Sequence, residues 1–327
     1  MTRAAGTRSL VSLDDITAAA SRIAGIARRT PLLSATTDPN RAGLWLKCEN
    51  LQLTGAFKIR GAANMLRQLD REALARGVIT YSSGNHGQAM ACTARLLGVP
   101  AVVIMPTTAP SVKVDGARSY GAEVVFAGTT TIERRLEAER ISGERGMTMI
   151  PPFDHPWVIA GQGTIGLEIL EDLPDVEAIY LPVGGGGLVS GVAAAVKRLQ
   201  PAVRIIGVEP AGAPKMTRSL AAGHPVTLDS TSSIADGLLA VRPADITFAH
   251  VAALVDQVVT VSEEEIAESV AWLAFETHQV VEPSGAVAVA AARTRHPLET
   301  DRGHIVALLS GGNVSPDRLS QILAGVR

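Results

Sequence analysis

A chain of 327 residues can bury a sizeable core, and its length suits two lobes better than a single large unit. Hydrophobic residues make up 46%, charged residues 19% and aromatic residues only 3%, an Ala-, Val- and Gly-rich mixture expected of helices packed on buried parallel sheets, that is, of the α/β class. Thirty basic against 32 acidic side chains leave a formal charge of -2, so no overall field attracts nucleic acid or an anionic membrane, and a small-molecule partner fits better.

Cys48 and Cys92 lack the paired spacing of a metal site and are too few for a disulfide framework; reduced core thiols are expected. No apolar signal core precedes Asp14 and Asp15, and no segment offers the roughly 18 apolar residues of a membrane span, which points to the cytoplasm.

In chain order, residues 13–27 repeat apolar positions at helical spacing after Ser12, a candidate N-cap, and 43–48 read as a short strand. Strand-like runs at 78–81, 101–105 and 123–126 are each followed by a helix-like run, at 84–97, 111–120 and 131–145, which makes a compact βαβαβα block. Pro151 and Pro152 mark a boundary. Strands at 178–183, 204–209, 257–261 and 304–309, with helical stretches such as 186–199 between them, predict a second sheet. Ser262 and Glu265 form a capping box that locates a helix start and carries no functional message.

Gly184-Gly185-Gly186-Gly187 lies directly after an apolar strand and directly before a helix. Without side chains, the loop's N–H groups can close around a phosphate at the positive end of the helix dipole. A tight turn rarely needs four consecutive glycines, and the spacing fits neither a dinucleotide fingerprint nor a Walker loop, so a compact monophosphate is the expected ligand. Ser82-Ser83-Gly84-Asn85-His86-Gly87-Gln88 opens another helix; it reads either as a carboxylate site or as a solvated N-cap loop. Lys58, in Thr54 to Gly61, has apolar neighbours that could depress its pKa, although a single lysine in such a run is more often an ordinary surface residue. Ser310-Gly311-Gly312-Asn313 ends a further apolar strand, where ligand sites of open α/β sheets gather.

Together these segments resemble the fold-type II pyridoxal-phosphate family, in its threonine dehydratase and serine racemase branch. The resemblance rests on Phe57 to Ala62, Ser82 to Gln88, Ala160-Gly161-Gln162-Gly163-Thr164, Val183 to Gly187, Ile234 to Gly237 and Ser310 to Asn313, which occur in the family's order across nearly the whole chain. It implies a tryptophan synthase β-like α/β fold of two open twisted sheets, with a large cofactor-binding domain at 1–70 and 150–327 and a small substrate-closing domain at 71–149. It implies that Lys58 holds pyridoxal 5'-phosphate covalently and that Gly184, Gly185, Gly186 and Gly187 hold its phosphate. Asn85 would bond the ring's hydroxyl, Ser310 would face the pyridine nitrogen, and Phe57 and Gly237 would flank the ring. Ser82, Asn85 and His86 would receive the substrate carboxylate, with Arg134 near the substrate in a closed state.

The implied activity is deamination of L-threonine or L-serine by β-elimination, with Lys58 taking the Cα proton. A serine at the pyridine nitrogen would not keep it protonated, which disfavours transamination. Serine racemisation is the nearest rival, because Ser83 could protonate the opposite face; hydroxyaspartate or phenylserine are further candidate substrates. Racemases of this branch tend to carry a serine where this chain has Ala240, which favours the dehydratase. Relatives often hold a divalent ion through a glutamate matching Glu209 and an aspartate six positions on. This chain has Lys215 there, so either its ammonium replaces the ion beside Glu209 or it is a surface lysine; no metal is expected in either case. The chain ends at Arg327 without the regulatory module of long threonine dehydratases, so feedback by isoleucine is not expected. A homodimer is the family expectation.

Overall fold

The computed structural model describes residues 10–35, 43–82, 84–109, 111–295 and 303–326. The strands are β1 (Leu32–Ser34), β2 (Leu44–Lys47), β3 (Val78–Tyr81), β4 (Ala101–Met105), β5 (Glu123–Phe126), β6 (Thr148–Met149), β7 (Val176–Pro182), β8 (Arg204–Pro210), β9 (Gln257–Val261) and β10 (His304–Leu308). The helices are α1 (Leu13–Ile23), α2 (Lys58–Leu66), α3 (Arg71–Arg76), α4 (Asn85–Leu97), α5 (Ser111–Ser119), α6 (Thr131–Arg145) and α7 (Pro156–Asp172). They continue with α8 (Gly187–Leu199), α9 (Lys215–Ala222), α10 (Asp245–Leu254), α11 (Glu263–Glu276), α12 (Pro283–Arg295) and α13 (Pro316–Gly325).

The strands form two sheets, as the sequence predicts. One has six strands in the order β1-β2-β10-β7-β8-β9, parallel except for the β1–β2 pair, and the other has four parallel strands in the order β5-β4-β3-β6. The parallel strands are apolar over most of their length because helices cover both faces. In the six-stranded sheet, one face packs on α11 and α12 and the other on α7 and α8. In the four-stranded sheet, one face packs on α2, α4 and α5 and the other on α6.

Helix starts follow local chemistry. Ser12, Thr130 and Ser262 each cap a helix through a side-chain oxygen and in return donate their own backbone N–H to the acid three residues on. α1 stops at Ile23, short of the predicted 27, and Gly25 follows at φ 80°, a conformation in which glycine is favoured over side-chain-bearing residues.

A buried ionic knot lies beneath the start of α2. Arg60 is 1% exposed, and its Nε and Nη2 donate to the two Glu49 oxygens at 2.9 and 2.7 Å. Its Nη1 and Nη2 donate to Glu168 at 2.6 and 2.9 Å, and Thr164 and the Arg28 carbonyl take the remaining bonds at 3.1 Å. Lys47, fully buried, adds a 2.6 Å pair to Glu168 and donates to the Thr30 carbonyl at 2.8 Å. The knot ties α2 to the six-stranded sheet and to α7. Replacing Arg60 with Met should cost about 3–5 kcal/mol, because Glu49 would lose its cation while still buried. A fall in thermal and urea midpoints would show this, and unchanged midpoints would count against it.

Candidate active site

The carboxyl ends of β3, β7 and β10 and the N-termini of α2, α4 and α8 are where ligands collect in open α/β sheets. Gly184–Gly187 bridges β7 and the thirteen-residue α8. Gly186 has φ 98°, and a Cβ at Gly185 or Gly187 would lie 2.4 or 3.0 Å from Phe153, so the loop has no room for side chains. Among the described residues, no protein acceptor takes the N–H groups of Gly184, Gly185 or Gly186. Thr247 donates to the Gly185 carbonyl at 2.7 Å and fixes the loop from outside.

Lys58 is the first residue of α2 and is half-buried. Burial lowers its amine to about 8, against the opposing pull of Asp154, and its Nζ donates to the Pro152 carbonyl at 2.8 Å. Phe57, the N-cap, donates its amide to the Ser310 carbonyl at 3.1 Å, and its ring centroid is 5.2 Å from Lys58 Nζ. The Pro152–Phe153 segment thus joins the lysine to the glycine loop.

Around them, Asn85 donates to Glu282 at 2.5 Å and accepts from Asn313 at 2.8 Å. Gly237 donates its amide to Ser284 Oγ at 2.9 Å, and Ser310 donates its hydroxyl to the Ser284 carbonyl at 3.2 Å. Gly84 caps α4 without a side-chain bond, leaving the first amides of that helix open to an anion. Ser82 Oγ accepts from Gly84 N at 3.3 Å. His86 is buried, its Nε2 3.1 Å from the Ile150 carbonyl, and burial and then the Lys58 charge drive it down to about 3. A neutral ring that donates from Nε2 leaves Nδ1 as an acceptor, so the His86 backbone, not its ring, suits a carboxylate.

The structure therefore gathers Lys58, Phe57, Asn85, Gly184–Gly187, Gly237 and Ser310 through shared neighbours. Ser83 lies outside the described residues. Among the described residues, Arg134 bonds only locally, to the Thr129 carbonyl at 3.3 Å and Thr131 Oγ1 at 2.9 Å, and its buried Nε has no partner. Lys215 is fully buried 3.2 Å from Glu209, so the surface alternative for this lysine does not hold. Sequence reasoning missed Pro152, Phe153 and Glu282. A lone acid between Val281 and Pro283 in an apolar stretch was the signal for the last. Glu282 is 5% exposed and is pushed up to about 7, by burial first and then by Asp236. Lys113 of α5 pairs with Asp236 and links the two sheets across this edge.

A half-buried amine of lowered pKa, linked through Pro152 and Phe153 to a side-chain-free loop of amides without protein acceptors among the described residues, suits an enzyme that holds a phosphorylated carbonyl compound. A family model described as pyridoxal-phosphate dependent enzyme matches residues 23–311, and the chain belongs to that family. Its cofactor is pyridoxal 5'-phosphate, and the orphaned glycine amides and the Lys58 amine fit the phosphate and the aldehyde respectively. The chain is 47% identical over 298 residues to an L-threonine ammonia-lyase of Geobacter sulfurreducens, covering 90% of this chain and 74% of that one. It is 40% identical over 318 residues to a serine racemase of Schizosaccharomyces pombe, covering 96% and 98%. The structure of maize serine racemase superposes with a TM-score of 0.90 at 38% identity, covering 97% of this chain and 98% of that chain.

The Glu282 shift has a definite sign. Its folded pKa of about 7 lies above the ordinary 4.5, so between these values the folded protein holds a proton that the unfolded chain releases, and stability falls as pH rises through that window. Glu282→Gln keeps the acceptor for Asn85 and removes the slope. Its stability relative to the parent should rise by about 1–3 kcal/mol from pH 5 to pH 8 in urea titrations. A difference that stays constant with pH would reject the buried-acid account.

Proposed function

We propose that the protein is a threonine and serine ammonia-lyase that converts L-threonine, L-serine or both to a 2-oxo acid and ammonia by β-elimination. The observation that carries this reading is the half-buried Lys58 amine, lowered to about 8, joined through Pro152 and Phe153 to the side-chain-free loop at Gly184–Gly187. The names of the relatives support the substrate class.

When bound, pyridoxal phosphate supplies an electron sink for the pair left behind as the Cα–H bond breaks. The residues divide the remaining work. Gly184, Gly185, Gly186 and Gly187 would offer their N–H groups to the phosphate, and Phe57 and Gly237 would flank the ring. Asn85, pinned between Glu282 and Asn313, would present its amide to the ring hydroxyl. Ser310 would face the ring nitrogen; its hydroxyl, which donates to the Ser284 carbonyl here, would have to turn from that carbonyl to donate to the nitrogen, and unlike a carboxylate it would not hold a proton there. Ser82, Asn85 and His86, at the uncapped start of α4, receive the substrate carboxylate. Lys58 takes the Cα proton, and with its pKa near neutrality it can return a proton to the departing hydroxyl. Arg134 approaches the substrate when 71–149, the small domain of this reading, closes on the large domain at 1–70 and 150–327.

Racemisation is the competing outcome at the same site, with Ser83 as the acid on the opposite face; the apolar Ala240 is the residue that favours elimination. Hydroxyaspartate and phenylserine are the alternative substrates. The reading includes a cytoplasmic homodimer.

Purified protein should release 2-oxo acid and ammonia from L-threonine and L-serine, with less inverted amino acid than oxo acid. Lys58→Ala should lower this by at least about 10²–10⁴-fold, and borohydride should attach the cofactor to the Lys58 peptide of the parent. Inversion exceeding elimination on chiral chromatography would turn the assignment to a racemase.

A further inference from the structure

Lys215 opens α9 and is completely buried, yet it contacts none of the groups assigned above to cofactor or substrate. Its Nζ donates to the Val183 carbonyl at 2.8 Å, the Leu238 carbonyl at 3.0 Å and the Ala213 carbonyl at 3.2 Å. Glu209 Oε1 lies 3.2 Å away. That carboxylate is itself held by the Met216 and Thr217 amides at 2.8 and 2.9 Å and by Thr217 Oγ1 at 2.8 Å. A neutral amine has two N–H bonds and a lone pair, which would leave one carbonyl facing a lone pair. Three carbonyl acceptors and a carboxylate call for an ammonium.

Two of the three carbonyls belong to segments that reach the site. Val183 precedes Gly184, and Leu238 follows Gly237. The segments also touch, since a Cβ at Gly184 would lie 3.3 Å from the Gly237 carbonyl. In a planar trans peptide the carbonyl and the next N–H point in opposite directions. Turning the Val183 carbonyl towards Lys215 therefore turns the Gly184 N–H, one of the orphaned amides, away from Lys215 and towards the cradle.

We propose that Lys215 is a positioning residue: its ammonium sets the Val183–Gly184 peptide plane and ties the glycine loop to the Gly237–Leu238 segment. A covalently attached cation thus holds the phosphate site in its binding form before the cofactor arrives. This rests on the reading of Gly184–Gly187 as the phosphate site.

The test strips full-length protein of cofactor with hydroxylamine and titrates it with pyridoxal 5'-phosphate and, separately, with pyridoxal, which lacks the phosphate. The parent should prefer the phosphorylated form strongly. Lys215→Ala, which removes the ammonium and its three-carbon tether, should lose at least tenfold in affinity for pyridoxal phosphate and little for pyridoxal. Propylammonium added during refolding should restore the preference. Lys215→Met, which fills the same space without charge, should show the same selective loss without rescue, and it carries the test if the alanine variant does not fold. An unchanged preference in either folded variant overturns the proposal while leaving the phosphate site intact. A parent that binds both compounds equally overturns the phosphate reading and this proposal with it.

Discussion

The guanidinium of Arg60 is the contact on which the rest of the site depends. It lies two residues past Lys58 and spends its donors on Glu49, Glu168, Thr164 and the Arg28 carbonyl. Those partners come from the segment after β2, from α7 and from the chain leading into β1, so one planar group fixes α2 in orientation and depth. An apolar residue in its place would fill the volume but would define no direction. The stability of such a buried cluster is modest once desolvation is counted; its gain is specificity of arrangement.

The chemistry then follows from what burial does to each group. The Lys58 amine falls to about 8 and the Glu282 carboxyl rises to about 7, while His86 falls to about 3. Desolvation is the largest cause in all three, and it works in opposite directions on bases and acids. A shielded edge between two sheets therefore yields a base accessible near neutrality, an acid that holds its proton longer than usual, and a histidine that stays neutral. None of this needs a metal ion or an unusual residue. It needs helices that keep water away from one end of the strands.

Much of this was legible in the sequence, and the limits have physical reasons. β3, β4, β5 and β9 have their predicted bounds because short apolar runs between turn residues suit strands covered on both faces. The glycine loop was legible because four residues without side chains have few other uses. By contrast, α12 gave no helical period, since 286–292 are all fully buried and nothing polar marks an outer face. β1 and β6, with three and two residues, are too short to form a pattern. Glu282 meets Asn85, and Lys113 meets Asp236, across 197 and 123 positions of chain, and no local spacing encodes such meetings. The depth of Lys58 is likewise a property of its surroundings.

Ala160 to Thr164, one of the runs carrying the resemblance, performs none of the chemistry. A Cβ at Gly161 would lie 2.5 Å from the Arg60 carbonyl and 2.7 Å from Gly61, and one at Gly163 would lie 2.8 Å from the Gly191 carbonyl. At these two glycines α7 meets α2 and α8 too closely for a side chain, which makes the stretch a seam between the helices. Drift at these glycines would push apart the two helices that begin at Lys58 and at the glycine loop. The seam is therefore a fingerprint of spacing. Across related genomes its retention would mark an intact scaffold and would be silent about which amino acid that scaffold consumes.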